Sequence, residues 1–229
     1  MNRACKIAFD KNLLDTHSGN ISMGIENDVL ITKTGRSLID LKPQDFTIVP
    51  LYGRNGKESD ASSELEIHKF ILKSFPDSTV LHSHPLNAIA LSLSLHENNG
   101  NAAIKSDKFK TTPSAPSAPS TRLAIKKLYK KYPDLDKIIP IDFESAYFFP
   151  EIYVFPLKFI EDIKTRNLLK PVCEAKDIFK ENGVFMIKSH GSFSWGKSPL
   201  EALRWTMALE ASSKIILKRL SAGNVLPPA

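Results

Sequence analysis

Short runs rich in β-branched and aromatic residues alternate with helical runs along this chain, and this alternation constrains the fold more than any other feature. The strand-like runs are "DVLITKTG" at 28–35, "DFTIVPL" at 45–51, "STVLHSHP" at 78–85, "EIYVFPL" at 151–157 and "GVFMIKSHG" at 183–191. The helical runs are "SSELEIHKFILKSF" at 62–75, "PLNAIALSLSL" at 85–95 and "SPLEALRWTMALEASSKIILKRL" at 198–220. Together they predict a mixed α/β domain.

The last of these runs carries the clearest helix signals. Ser198 is a good N-cap, Pro199 stands at the first helical position, and Glu201 completes a capping box. We expect this helix to end near residues 221–223.

Length and composition indicate a single domain over residues 1–229 with an ordinary globular make-up of 42% hydrophobic and 24% charged residues. The segment 97–122 contains a Pro-Ser-Ala repeat that cannot bury apolar surface, so we expect a surface loop there. Cys5 and Cys173 are too few for a disulfide framework or a sulfur-rich metal site.

The chain lacks the marks of a membrane or nucleic-acid protein. No run approaches eighteen apolar residues, and the N-terminus lacks the apolar core of a signal peptide, which predicts a cytoplasmic protein without a membrane partner. The net charge of +6 is spread along the chain apart from "IKKLYKKYP" at 125–133, which we interpret as a solvated basic helix. A small anionic substrate remains compatible with that charge.

"TVLHSHP" at 79–85 places two histidines one residue apart at the end of a predicted strand. Successive side chains of a strand point to opposite faces, so His82 and His84 share one face and can bind the same ion. Catalytic zinc usually takes three protein ligands. The candidates for the third are His17, His68, His96 and His190, and His190 is the best placed because it follows a strand at a His-Gly turn.

Three short segments rich in Gly, Ser, Thr and Asn could bind an anion through N–H and hydroxyl groups. They are "HSGNIS" at 17–22, "TKTG" at 32–35 and "ASSELEIH" at 61–68. Ser62 and Ser63 lie at the expected start of a helix, where free N–H groups and the helix dipole favour a phosphate. The alternative is that the segments are three turns and an N-cap without a ligand.

Glu64 follows these serines and is expected in the first turn of the same helix. A glutamate there is stabilised by the dipole alone, so its default role is structural. Close to a metal and partly desolvated, the carboxylate could instead ligate the ion, or remove a proton from a carbon beside a polarised carbonyl.

These motifs resemble the class II aldolase/adducin family. "SGN", "TKTG", "SSE", "HSHP" and "SHGSFSWGKSPLEALRWTMALEAS" stand in the order and context typical of that family, most closely of its L-fuculose-1-phosphate aldolase branch. The similarity covers nearly the whole chain except about residues 98–146. It implies an α/β/α three-layer sandwich with a central, mostly antiparallel sheet, and a four-fold symmetric homotetramer with active sites between subunits.

The resemblance also implies roles for individual residues. His82, His84 and His190 would bind Zn²⁺, with Co²⁺, Mn²⁺ or Fe²⁺ as alternatives, and Glu64 would transfer the proton and serve as a fourth metal ligand in the resting enzyme. The residues that match the phosphate-binding positions of the family are Gly19, Asn20, Thr34, Gly35, Ser62 and Ser63.

The reaction implied is reversible retro-aldol cleavage of a ketose 1-phosphate, similar to L-fuculose 1-phosphate, into dihydroxyacetone phosphate and an aldehyde. Other family members are sugar-phosphate epimerases, methylthioribulose-1-phosphate dehydratases and non-catalytic adducin-like oligomeric scaffolds. The intact Ser62-Ser63-Glu64 segment favours an aldolase, and retention of three histidines disfavours a scaffold. Tyr147 and Tyr153 are the candidates for the tyrosine proton donor of this branch, although packing as a strand aromatic is the more ordinary role for each.

Overall fold

The computed structural model describes residues 1–97, 119–165 and 178–223. The strands are β1 Asn20–Ile25, β2 Asp28–Thr32, β3 Phe46–Pro50, β4 Thr79–Ser83, β5 Asp136–Ile138, β6 Ile152–Phe155, β7 Gly183–Ile187 and β8 Gly191–Gly196. The helices are α1 Asn2–Asp10, α2 Leu65–Leu72, α3 Leu86–Glu97, α4 Pro119–Lys131, α5 Phe143–Phe148, α6 Leu157–Lys164 and α7 Pro199–Ser221.

All eight strands form one sheet in the order β3-β2-β1-β4-β8-β7-β6-β5. Neighbouring strands are antiparallel except β6 and β7, which run parallel. The expected mostly antiparallel central sheet is therefore confirmed. β4 lies in the interior of the sheet between β1 and β8, so the histidine-bearing strand is held by backbone hydrogen bonds on both edges.

Side-chain alternation along the strands builds a separate core on each face of the sheet. On β7, Phe185 packs in a cluster that includes residues of α2, α4 and α6, whereas Met186 packs in a cluster that includes residues of α3 and α7. A third cluster joins α1 and α7 to Ile21 of β1 and Leu81 of β4. The sheet therefore has helices on both faces, which confirms the predicted three-layer α/β/α arrangement.

The ends of two predicted elements need correction. α2 begins at Leu65 with Glu64 as the N-cap residue, so Ser62 and Ser63 precede the helix and Glu64 is outside its first turn. α4 begins at Pro119, so the expected end of the Pro-Ser-Ala loop at 122 is too late. The rest of that loop, residues 98–118, lies outside the described residues.

The long C-terminal helix agrees with the sequence prediction. α7 runs over Pro199–Ser221, and the Ser198 hydroxyl accepts a hydrogen bond from the N–H of Glu201 at 3.2 Å. The reciprocal bond of the capping box is displaced by one residue, because the Glu201 carboxylate accepts from the N–H of Lys197 at 2.7 Å. Among the helices that the structure describes, none is sufficiently long and apolar to cross a bilayer.

Candidate metal centre

β4 and the turn between β7 and β8 bring three histidines together. His82 pairs across β4 with Asn20 on one side and with Phe193 on the other, and His84 follows on the same face. His190 lies in the turn that joins β7 to β8. One ring nitrogen from each histidine lies within 4.8 Å of the other two, a grouping that could hold a metal ion.

The other histidines are placed differently. His17 lies in an exposed loop, with its Nδ1 2.7 Å from the Thr16 hydroxyl. His68 is fully buried, and its two ring nitrogens face Ser22 and Asn20. The side chain of His96 lies outside the described residues. Among the described candidates for a third ligand, His190 is the one that joins the pair.

Two hydrogen bonds from backbone N–H groups hold the turn that carries His190. Ser189 adopts a positive φ of 59°, and its N–H donates to the buried hydroxyl of Ser92 in α3 at 3.2 Å. The N–H of His190 donates to the carbonyl of Ile187 at 3.1 Å. A non-glycine residue in the left-handed region carries strain, and the bond to α3 stabilises it there.

The Glu64 carboxylate lies close to two of the three histidines. Its Oε1 is 2.7 Å from His190 Nε2 and its Oε2 is 3.3 Å from His82 Nε2. The Asn20 amide also donates to Oε2 at 2.8 Å. The carboxylate thus lies between two of the three imidazoles, although it is 126 residues from His190 in the chain.

The electrostatics favour neutral His82 and His84 side chains beside an ionised Glu64 carboxylate. Burial lowers the pKa of His82 to about 3 despite the attraction of Glu64, and burial also lowers the pKa of His84. Burial alone raises the pKa of Glu64, but the hydrogen bond from His190, the nearby His82 and the bond from Asn20 outweigh it, so its pKa falls well below the usual range.

The hydrogen-bond directions fit a cation. His82 Nδ1 is 3.0 Å from the carbonyl oxygen of Ser192, which can only accept, so Nδ1 carries the proton and Nε2 presents a lone pair. That lone pair faces the Glu64 carboxylate, which is also only an acceptor. His82 Nε2 is also 3.0 Å from His84 Nε2, so its lone pair can accept a hydrogen bond from His84, and a cation placed between Nε2 and the carboxylate would bind both acceptors. A metal-binding histidine usually binds the ion through one ring nitrogen and donates from the other to an acceptor such as a carbonyl, as His82 Nδ1 does to Ser192.

Close packing around the histidines requires Gly191. A Cβ there would lie 2.5 Å from the Ser83 carbonyl oxygen, 2.7 Å from His84 Cδ2 and 2.9 Å from His82 Cε1. The "HG" dipeptide marked a turn in the sequence, but this steric role depends on β4 being the neighbour and so has no local signal. Gly191 is a residue of the site that sequence reasoning missed.

The three donor-rich segments also converge. A β-bridge joins Lys33 to Ala61, the Thr34 hydroxyl donates to the Ala61 carbonyl at 2.7 Å, and the Ser62 N–H donates to the Thr32 carbonyl at 3.1 Å. The second and third segments therefore lie side by side. The first joins them through the bond from Asn20 to Glu64.

Among the described residues of these segments, some N–H and hydroxyl groups form hydrogen bonds within the protein and others do not. The Thr34 N–H donates to Asp60, and the Ser62 hydroxyl accepts from the Glu64 N–H at 3.3 Å. Within the described ranges, the exposed N–H groups of Gly35 and Ser63 have no hydrogen-bond acceptor. An anion at this place would meet at least these two donors.

Gly19 is the tightest point of the first segment. It has a φ of +85°, and a Cβ there would lie 2.8 Å from the carbonyl oxygen of His82 and 2.4 Å from a methyl group of Leu14. Only glycine allows the backbone to approach β4 this closely.

The two candidate tyrosines differ in environment. Tyr147 on α5 is 77% exposed, with its ring packed edge-on against Phe148. Tyr153 on β6 is buried, and its hydroxyl donates to Glu151 at 2.7 Å. Burial and the Glu151 carboxylate raise the pKa of Tyr153 well above its usual value, which fits a packed aromatic.

Comparison with known proteins finds a matching family and an aldolase that is similar in sequence. The family described as class II aldolase and adducin N-terminal domain matches residues 1–217. An L-fuculose phosphate aldolase from Methanococcus vannielii is 30% identical over 92 residues, which are 40% of this chain and 50% of that protein. The matched part thus spans about half the length of that curated relative.

Solved structures share the fold over the whole chain. An L-fuculose-1-phosphate aldolase from Thermus thermophilus superposes with a TM-score of 0.66 at 22% identity, covering 100% of this chain and 95% of that one. A sugar-phosphate aldolase from Thermotoga maritima gives a TM-score of 0.56 at 18% identity, covering 100% and 96%. At these identities the likeness establishes the architecture.

Proposed function

The chain belongs to the class II aldolase and adducin family, and from that premise we propose that it is a metal-dependent lyase that cleaves a ketose 1-phosphate, similar to L-fuculose 1-phosphate, into dihydroxyacetone phosphate and an aldehyde. The observation that carries the proposal is the Glu64 carboxylate facing the lone pair of His82 Nε2 at 3.3 Å, beside two further histidines. This arrangement suits a cation and places a carboxylate base next to it.

In this proposal His82, His84 and His190 hold the ion, and Glu64 is a fourth ligand when no substrate is bound. Three imidazole ligands suit Zn²⁺, and Co²⁺, Mn²⁺ or Fe²⁺ are the alternatives. Such an ion supplies Lewis-acid stabilisation of the negative charge that develops on the substrate oxygens when the carbon–carbon bond breaks.

Glu64 is proposed to move the proton at C3 of the dihydroxyacetone phosphate half of the substrate. Despite burial, contacts with His190 and His82 lower the pKa of Glu64 and keep it ionised, and loss of those contacts would raise its pKa and make it a stronger base. The bond from Asn20 at 2.8 Å holds one of its oxygens. Bound substrate would displace the carboxylate from its metal position and leave it free for this transfer.

The proposed phosphate site comprises three pairs of neighbouring residues: Gly19 and Asn20, Thr34 and Gly35, and Ser62 and Ser63. The side-by-side position of the last two pairs and the free N–H groups of Gly35 and Ser63 support this assignment. Binding the phosphate away from the reacting carbon fixes the position of that carbon relative to Glu64.

The same proposal includes a cytoplasmic homotetramer with active sites between subunits, acting on a small phosphorylated sugar and having no nucleic-acid or membrane partner. It rests on the family resemblance and on the scattered distribution of the basic residues.

Hydrogen exchange at C3 of dihydroxyacetone phosphate in heavy water tests the proposal without knowledge of the aldehyde. We expect the zinc-loaded wild type to catalyse the exchange, and Glu64→Gln to keep the metal while losing activity by at least about 100-fold. Glu66→Gln is the matched control, because Glu66 lies two positions further along and belongs to the first turn of α2.

Three outcomes would change the assignment. Full exchange activity in Glu64→Gln would mean that another group is the base. Metal binding without exchange in the wild type would move the function to the epimerase or dehydratase members of the family, or to a scaffold. Equal losses in Glu64→Gln and Glu66→Gln would indicate a general effect on α2.

A further inference from the structure

A chain of buried hydrogen bonds runs from Glu64 into the protein and ends on α2 and β1. Asn20 donates from Nδ2 to Glu64 Oε2 at 2.8 Å. Asn20 Oδ1 is hydrogen-bonded to His68 Nε2, and His68 Nδ1 is 2.7 Å from the Ser22 hydroxyl. His68 and Ser22 are fully buried.

Only one assignment of protons satisfies every member of this chain. An ionised carboxylate only accepts, so the NH₂ group of Asn20 faces Glu64 and its carbonyl faces His68. His68 Nε2 must then carry the ring proton, which leaves Nδ1 to accept from the Ser22 hydroxyl. The ionised carboxylate and the neutral imidazole therefore favour the same orientation of the Asn20 amide.

The surroundings of His68 keep it neutral and fixed. Burial lowers its pKa to about 4, and its ring packs edge-on against Phe193 with centroids 5.9 Å apart. The residue also stands one helical turn after Glu64 on the same segment, and its N–H donates to the Glu64 carbonyl at 3.2 Å. Its position relative to Glu64 is thus set by both backbone and side chain.

We propose that His68 is a positioning residue: through the Asn20 amide it holds the Glu64 carboxylate with one oxygen facing His190 and the other facing His82. Its consequence for catalysis rests on the function proposed above, whereas the hydrogen-bond assignment does not. Without the His68 N–H, the Asn20 amide loses the hydrogen bond to its Oδ1 and is held in this chain only through Glu64. Its NH₂ group would then no longer keep Glu64 Oε2 in a fixed position.

Two substitutions of His68 separate positioning from packing. His68→Gln retains a side-chain N–H near the place of Nε2, whereas His68→Met fills similar space without a donor. We expect both variants to bind metal as the wild type does. His68→Met should lower kcat for hydrogen exchange by about 10- to 100-fold with little change in KM, and His68→Gln should recover most of that loss. Equal activity in the two variants would overturn the proposal.

The Asn20→Ala background tests whether His68 acts through the amide. If it does, adding His68→Met to Asn20→Ala should lower kcat by less than about twofold beyond Asn20→Ala alone. Losses that multiply in the double variant would show that His68 acts by another route and would contradict the proposal.

A spectroscopic measurement keeps the inference testable if the variants unfold or if the wild type proves inactive. In the full-length zinc-loaded protein with ¹⁵N-labelled histidine, the His68 signals are assigned by their disappearance in His68→Gln, or in His68→Met if that variant folds better. If neither folds, Ser22→Ala identifies the His68 signals by the change in their chemical shifts.

We expect His68 to be in the Nε2–H tautomer. The Nδ1–H tautomer or a mixture would overturn the inference, whereas absent exchange with the expected tautomer would count against the proposed function alone.

Discussion

The side chain of His82 makes two contacts with the neighbouring strand β8. Its Nδ1 is hydrogen-bonded to the Ser192 carbonyl of β8, and its ring stacks on Phe193 with centroids 4.4 Å apart. Both contacts come from the neighbouring strand, so the strand pairing itself sets the direction of the Nε2 lone pair. The geometry for binding a cation is therefore built into the sheet.

Substitution of Gly191 tests how closely the histidines are packed. Gly191→Ala would place a methyl group 2.5 Å from the Ser83 carbonyl and 2.7 Å from the His84 ring. The rings or the backbone must move, so we expect metal affinity to fall by at least about tenfold. Titration with zinc against a competing chelator measures this change.

Gly53→Ala is the matched control for the glycine substitution. Gly53 has a φ of +78° and no atom near its Cβ position, so the change should cost about 1–2 kcal/mol of stability through backbone strain alone. It should leave zinc affinity unchanged. If Gly191→Ala resembled Gly53→Ala in both measurements, the close contacts around the histidines would be unimportant for binding.

The stability of the protein should depend on pH through His68. Its folded-state pKa of about 4 lies below the ordinary histidine value of 6.5, so between these values the unfolded chain binds a proton that the folded chain does not. This residue therefore contributes a loss of stability as the pH falls from about 6.5 to about 4, with a slope of up to about 1.4 kcal/mol per pH unit.

Denaturant unfolding at several pH values measures that slope. In His68→Gln the slope between pH 6.5 and pH 4 should be smaller by about one proton, because glutamine does not titrate in this range. An identical slope in the variant would show that His68 is already protonated in the folded protein.

Sequence reasoning reached part of the site at the residue scale. The period of a strand was sufficient to place His82 and His84 on one face, and the structure confirms it. Glu64 and His190 are 126 residues apart, and their meeting depends on the pairing of β4 with β1 and β8, which no local pattern encodes. For His68, sequence alone could not distinguish a metal ligand from a buried residue bonded to Asn20.

At the scale of elements, predictions succeeded where local chemistry was strong. α7 was identified with its cap and its end because Ser198, Pro199 and Glu201 are local signals. The sequence does not predict β1 and β8 as strands, because "NISMGI" and "GSFSWG" are rich in small polar residues. Both are paired on two sides within the sheet, and this tertiary pairing outweighs their weak strand propensity.

The N-cap of α7 provides a prediction at this scale. Ser198→Ala removes the acceptor for the Glu201 N–H and should lower the free energy of unfolding by about 1 kcal/mol. Ser221→Ala is the control at the other end, where the hydroxyl donates to the Lys218 carbonyl on the exposed surface, and it should change stability by less than about 0.5 kcal/mol. Urea unfolding compares the two, and equal effects would show that the cap is not a specific contributor.

At the scale of the whole molecule, the site borders the core through His82, whose ring stacks on the core residue Phe193. Three hydrophobic clusters cover the two faces of the sheet, whereas the histidines meet at an end of β4 where two of them are partly exposed. Folding is therefore expected to depend on apolar burial and not on the metal. Retention of the fold after loss of the ion would distinguish a catalytic ion from a structural one.

Metal content per chain, measured on purified wild type and on His82→Ala after equilibration with zinc and removal of free ion, tests the central claim most directly. We predict about one ion per chain in the wild type, and loss of that ion in His82→Ala, which should remain folded by circular dichroism. Absence of metal in the wild type, or equal metal content in both proteins, would contradict the account, and an unfolded His82→Ala would show that the ion is structural.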